Sequence, residues 1–392
     1  IESTIAPWSC PWKLVELKIK SLITFGERTM RWYHLRKPAL LICLAFFSCP
    51  LWAASGISVK DMAGRTVTLD APPNRIACLS PGTLRLLVYL QAQEKLVGVE
   101  DIEKRFPGAR PYTIANPQFS KLPSIGPGGP NSINKEPDYE KLLSAQPDII
   151  YISYMEKALA NRVQQKTGIP VFVVSYGPFG TFTDTVYESI LAIGKTLGKE
   201  KRAKAVVGFF EEKQQDLLNR VASVPEKDKP WVYIGGIGFK GSHGIESTET
   251  IYPPFEWVRA KNIAKRDGSR GHLFVDKERL LSLNPDIIFI DGGGNQLVLN
   301  DLKKNPAFYA GLKSFQNKQV YTLHSFNWYM TNLGTVVTDA YAVGKLLYPG
   351  RFSDIELAGF ADEVYSFLLG KPVYKDLVRN NGPLGQALSV PE

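Results

Sequence analysis

The six residues HSFNWY, from His324 to Tyr329, place an imidazole and three aromatic rings directly after an apolar run. Phe326, Trp328 and Tyr329 could stack on a flat or greasy solute, and His324 could ligate a metal through a ring nitrogen. The other reading is that Phe326 and Trp328 pack the base of the next helix. His243 sits in FKGSHGIES, where Gly241 and Gly244 let the backbone turn and present the side chains between them. It is a second candidate metal ligand, or a solvated loop histidine. His272 follows Arg270 in DGSRGHLFVD, a pair able to hold a carboxylate-bearing solute.

These residues belong to a chain with strand and helix grammar. The segments DYEKLLSAQPDIIYI (138–152) and DKERLLSLNPDIIFI (276–290) agree at ten of fifteen positions, 138 residues apart. Each reads as a short helix with acids in its first turn, a proline that ends it, and an apolar run suited to a strand buried on both faces. An internal repeat is the natural source, so two lobes of similar α/β design are expected. The first, residues 55–198, opens with a hairpin over 57–70 and holds strands in NRIACLSP, KLVGVE, DIIYISY and PVFVVSY. Residues 199–223 have helical spacing throughout; a helix of about 25 residues spans roughly 37 Å, enough to pass from one lobe to the other. The second lobe, residues 224–392, repeats the pattern with strands in PWVYIGG, DIIFIDGGG and QVYTLHS and closing helices over 333–347 and 354–369. The predicted fold is two Rossmann-like β/α lobes joined by a single long interlobe helix.

In open α/β sheets, solutes sit outside the carboxyl ends of the strands. The residues following the predicted strands are therefore the candidate binding set: Thr83, Tyr154 and Tyr176 from the first lobe, and His243, Asn295, His324, Trp328 and Tyr329 from the second. Arg270 and His272 complete it.

A basic stretch with Arg31, Arg36 and Lys37, an apolar core from Ala39 to Phe47, and the small residues Ala53 and Ala54 make residues 30–54 a signal peptide, so the periplasm is expected. Residues 1–29 are expected to arise from translation upstream of the start. Attachment to the cell surface through a lipidated Cys49 is a second reading, opposed by Phe46 and Phe47 where small residues are needed. Residues 1–53 hold seven Lys/Arg and three Asp/Glu, so the formal charge of +9 falls to +5 without them. With no basic cluster, a nucleic-acid partner is not expected. Cys78 alone remains of four cysteines, so no internal disulfide is expected. G-x-S-x-G, H-E-x-x-H, C-x-x-C and Walker signatures are absent, which leaves a hydrolase built on Ser80 without positive support.

The leader, the opening DMAGRTVTLDAPPNRIACLSP, the paired E-K/R-L-L-S-x-x-P-D-I-I units and the lone interlobe helix together resemble the periplasmic substrate-binding proteins of ABC importers for iron chelates, haem and vitamin B12. The resemblance implies no enzymatic activity and no resident cofactor. It implies a monomer that carries an iron-containing chelate, a ferric siderophore or haem-like complex, with a corrinoid as the alternative. Receptors of this kind for bare zinc or manganese take histidines from both lobes, whereas His243, His272 and His324 all lie in the second; a wrapped metal is therefore expected. The partner implied is a permease dimer with its ATPase subunits, docked through one glutamate on each lobe. Glu140 and Glu278 hold the matching positions in the two repeats.

Overall fold

Apolar runs rich in β-branched residues build two parallel sheets, and the computed structural model describes them within residues 56–108, 110–178, 183–266 and 268–388. Residues 30–54, expected to be a signal peptide, and the residues before them lie outside the described residues. In the first lobe, strands β1 (Ile57–Lys60) and β2 (Thr66–Leu69) form an antiparallel hairpin. Strands β3 (Ile76–Leu79), β4 (Ile149–Ser153) and β5 (Val171–Val174) pair in parallel in the order β3-β4-β5, with every residue buried. The second lobe contributes β6 (Trp231–Gly235), β7 (Ser247–Glu249), β8 (Lys261–Asn262), β9 (His272–Phe274), β10 (Ile287–Asp291) and β11 (Val320–Leu323). Its main sheet runs β11-β10-β6-β8, all parallel, while β7 and β9 form an antiparallel ribbon.

The two copies of the repeat fold alike. The helices Tyr139–Ala145 and Lys277–Leu283 begin at Asp138 and Asp276, whose carboxylates accept the amides of Lys141 at 3.1 Å and Arg279 at 2.7 Å. Each ends in a left-handed residue, Gln146 or Asn284, one position ahead of the proline. Central strands β4 and β10 follow.

KLVGVE departs from the expected strand. Leu96 bridges Ile76 and Val99 bridges Ser124, one residue to each side, with no continuous ladder. Gly98 passes so close to Ile125 that a β-carbon there would lie 2.4 Å from its side chain, so the segment threads between two neighbours instead of running beside one.

Gly198, with φ of 65°, separates the helix Thr185–Thr196 from Glu200–Val221, whose 22 residues span roughly 33 Å. The long helix buries Ala203, Val206, Val207, Phe210, Leu217 and Val221 along one stripe. One apolar core runs unbroken from the inner face of the first sheet, past Phe210, to the helices Leu333–Leu347 and Leu357–Leu369 and the inner face of the second sheet. Each sheet's outer face has its own smaller cluster. Residues 54–392 thus form one unit.

Candidate functional site

The turn after β3 is tightly built. Ser80 has φ of 68° and gives its amide to Glu100 at 3.0 Å; the Pro81 carbonyl accepts from Ser153 Oγ at 2.8 Å. Gly82, at φ of 81°, leaves room for the Tyr176 ring, which a β-carbon would approach to 2.7 Å, and its carbonyl accepts the Tyr176 hydroxyl at 2.9 Å. Thr83 and Tyr176 are therefore buried supports. The Thr83 hydroxyl donates back to the Leu79 carbonyl at 2.7 Å, so the expectation that it faces solute is corrected.

Across this turn lies the loop after β11. Phe326 is in the core, edge-on to Tyr252, and its carbonyl accepts the Asn332 amide at 2.6 Å. Trp328 packs beside Phe106, centroids 5.4 Å apart, and under the Arg110 guanidinium at 5.5 Å. Tyr329 reaches into the first lobe, donating its hydroxyl to Glu100 at 2.6 Å and accepting the Gly129 amide at 3.1 Å. Tyr154, half-buried with φ of 57°, approaches Met330 Sδ at 3.5 Å. Beneath them, Arg85 Nη1 donates to the carbonyl of Thr331 at 2.7 Å, and Arg85 Nη2 to those of Trp328 at 3.1 Å and Tyr329 at 3.2 Å. Arg110 is also buried; it pairs with Glu103 at 3.3 Å and donates to the carbonyls of Ile102 and Glu103. Arg85 Nε, Arg110 Nε and Arg110 Nη1 are buried without a hydrogen-bond partner. Burial raises Glu100 to about 7, against the lowering effect of the Ser80 and Tyr329 hydrogen bonds, and it raises Glu103 against the pull of Arg110.

The second lobe adds a rim. The Phe239 ring stacks on His272, centroids 4.2 Å apart, and His243 bonds the Phe239 carbonyl through Nε2 at 2.8 Å. The two imidazoles stand 6.5 Å apart, and Phe274, 61% exposed, lies edge-on to both. His272 Nε2 meets Ser247 Oγ at 2.8 Å; burial, and then His243, lower its pKa. Arg270 is exposed two residues away. Gly294 packs against Gly236 and the His243 carbonyl, which places Asn295 under this loop with its Oδ1 buried and unpartnered. Asn327 donates to the Gly238 carbonyl at 3.3 Å and so joins the rim to the Trp328 loop.

The structure thus brings Tyr154, Trp328 and Tyr329 together at the seam, over Tyr176, and His243, His272 and Asn295 at the rim. His324 is not among them. It is buried, 3% exposed, with Nε2 on the Gly382 carbonyl at 3.1 Å and its ring toward Tyr374, so the expectation of a metal ligand is corrected to a core histidine. Burial lowers its pKa. Among the described residues no three His, Cys, Asp or Glu side chains converge as a metal cage. Glu140 and Glu278 are exposed on their repeat helices. Sequence reasoning missed Arg85, Glu100, Phe106 and Arg110. Only Arg85 left a signal: one charged residue inside TLRLLVY, a helix buried at every position.

The chain matches the family model for periplasmic binding proteins over residues 76–326. It is 24% identical over 351 residues to the molybdate-binding protein MolA of Haemophilus influenzae, covering 83% of this chain and 95% of that one. The Fe(3+)-citrate-binding protein YfmC of Bacillus subtilis is 25% identical over 281 residues, 69% of this chain and 79% of its own. Among solved structures, a periplasmic solute-binding protein from Veillonella parvula superposes with a TM-score of 0.68 at 19% identity, covering 83% of this chain and 96% of that one. MolA bound to molybdate gives 0.64 at 20% identity, covering 80% and 98%. With two α/β lobes facing each other across an aromatic seam, and with that match over most of its length, the chain belongs to the periplasmic binding protein family, as a solute-binding component of an ABC importer and not an enzyme.

Proposed function

We propose that the chain is exported to the periplasm and holds a compact anionic metal complex between its lobes, foremost an iron chelate whose carboxylates or other oxygens carry the charge. The observation that carries this reading is Arg110. Its guanidinium is buried over the Trp328 ring with Nε and Nη1 unpartnered, and it shares the Tyr112 ring with a second buried guanidinium, Arg85. Buried donors of that kind favour an anion, and the flanking Phe106 and Trp328 rings favour an organic wrapping. His243 and His272 at the rim suit a polar edge of the complex. The likeness to an Fe(3+)-citrate-binding protein supports the same class.

A second reading, a bare oxyanion such as molybdate, is favoured by the likeness to MolA and by the same arginine donors. Calorimetric titration with ferric citrate, haem and molybdate separates the two. Saturable binding of ferric citrate or haem that is lost in Arg110→Met supports the chelate; binding of molybdate alone replaces it with the oxyanion, and binding of none overturns both.

Delivery follows from the repeat. Glu140 and Glu278 stand exposed at equivalent points, and a two-fold permease dimer is suited to a partner with one carboxylate on each lobe. Glu140→Ala with Glu278→Ala is expected to leave solute affinity intact and impair uptake. Wild-type uptake by the double variant refutes docking.

A further inference from the structure

The loop from Phe326 to Asn332 belongs to the second lobe by sequence, yet its backbone is held by the first. Three of its carbonyls, from Trp328, Tyr329 and Thr331, converge on one guanidinium. They can do so because Tyr329 and Met330 adopt φ of 51° and 76°, two adjacent non-glycine residues in the left-handed region. That arrangement is strained and persists only where surrounding groups fix it. Arg85 is such a group. It projects from a wholly buried helix, lies over the Tyr112 ring at 5.0 Å, and meets the Tyr176 hydroxyl at 3.4 Å. Among the described residues no carboxylate forms an ion pair with it. Burying a guanidinium without one is costly, and backbone carbonyls are its compensation.

We infer that Arg85 is the positioning residue for the solute-facing loop: its fork holds Trp328, Tyr329 and Thr331 of one lobe against the other and so sets where the Trp328 ring stands. The inference rests on the reading of the seam as the solute site. The middle of the loop leans on this pin. Phe326 is anchored in the second lobe and Asn327 on Gly238, with a bridge from Asn327 to Thr331, whereas Tyr329 and Met330 are tied to the first lobe through Glu100 and Tyr154. Released from Arg85, the left-handed pair relaxes and Trp328 leaves its place between Phe106 and Arg110. Lysine cannot replace the fork, because an ammonium is a point charge without the guanidinium's fixed donor geometry.

The test compares Arg85→Lys and Arg85→Met with wild type, first without solute. Amide exchange at residues 326–332 is expected to quicken tenfold or more in Arg85→Met and less in Arg85→Lys, with β3, β4 and β5 unchanged. The Trp328 contribution to fluorescence, taken as the difference from Trp328→Phe, is expected to shift red and quench more readily in the same order. Affinity for ferric citrate, haem or molybdate, whichever wild type binds, is expected to fall at least tenfold. Wild-type exchange and emission in both variants overturn the inference, as does exchange that quickens equally across the first sheet. If Arg85→Met does not fold, Arg85→Lys alone decides by the same readouts. Should wild type bind none of the three, the proposed solute fails, while exchange and emission still decide the role of Arg85.

Discussion

Residues 138–152 and 276–290 are nearly one sequence in two places, and the structure builds from each the same capped helix, left-handed residue and buried strand. Asp148 and Asp286, behind the prolines, each accept a backbone amide at the mouth of the neighbouring strand: Arg75 at 2.9 Å before β3, Trp231 at 2.7 Å in β6. The same two aspartates return their own amides to those residues' carbonyls, at 2.7 and 2.8 Å. The copies part at the last residue of the strand. Ser153 donates its hydroxyl to Pro81, whereas Asp291 accepts the amides of Gly293 at 2.8 Å and Phe326 at 3.4 Å. Beyond that point one lobe has Tyr154 in a left-handed conformation and the other has Gly292. The shared part is scaffold; the proposed binding surface begins where the copies diverge.

The turns after β3 and β6 give the largest contrast. Gly82 and Gly236 both have φ near 80°, but a β-carbon would lie 2.7 Å from the Tyr176 ring in the first and 3.2 Å from the Gly294 α-carbon in the second. Gly82→Ala is expected to cost about 2–4 kcal/mol and Gly236→Ala about 1–2, measured by urea unfolding. Equal costs would mean that the turns are interchangeable.

Next comes pH. Each lobe keeps a buried acid at its turn, and burial raises Glu100 from 4.5 and Asp291 from 3.8, both to about 7. Both bind a proton more tightly folded than unfolded. Their contribution is therefore complete below the unfolded values and is lost as pH rises through about 7, roughly 3–4 kcal/mol per group. Unfolding midpoints should fall between about pH 5 and about pH 8, less so in Glu100→Gln and in Asp291→Asn. A flat wild-type profile would show that both acids are ionised in the fold.

Trp328→Ala is expected to weaken solute binding by about 1–2 kcal/mol with little loss of thermal stability, because the ring lies on the seam and Phe326 holds the core. A fall in melting temperature with affinity unchanged would move Trp328 from the divergent surface to the scaffold. The smallest effect concerns the shared caps. Asp138→Ala and Asp276→Ala should each cost about 0.5–1 kcal/mol, and alike, since both accept the amide three residues on. A large inequality would break the equivalence of the repeats.

The same division explains what the sequence disclosed. Periodicity, the duplicated segment and the glycine and proline breaks made both sheets and the long helix legible, since those patterns are local. KLVGVE was misread because an apolar run does not say whether its neighbours align with it. His324 and Trp328 follow the same strand four residues apart, yet one turns into the core and the other onto the seam; nothing in their types distinguishes them. Glu100 and Arg110 matter through partners more than 200 residues away, Tyr329 and Trp328, which no local pattern encodes.

The unbroken core also governs the order in which the chain can complete itself. Tyr89 in the first lobe accepts the Gly334 amide on its hydroxyl oxygen, Arg202 in the long helix donates to the Phe367 carbonyl, and Lys371 reaches back to the carbonyl of Ala115. During synthesis the helix Thr83–Tyr89, which packs on the first sheet, therefore waits for its outer partners until the last helices have emerged. Contacts of such long sequence separation fold slowly and late. A core closed by its last helices is completed only once the whole of it is present.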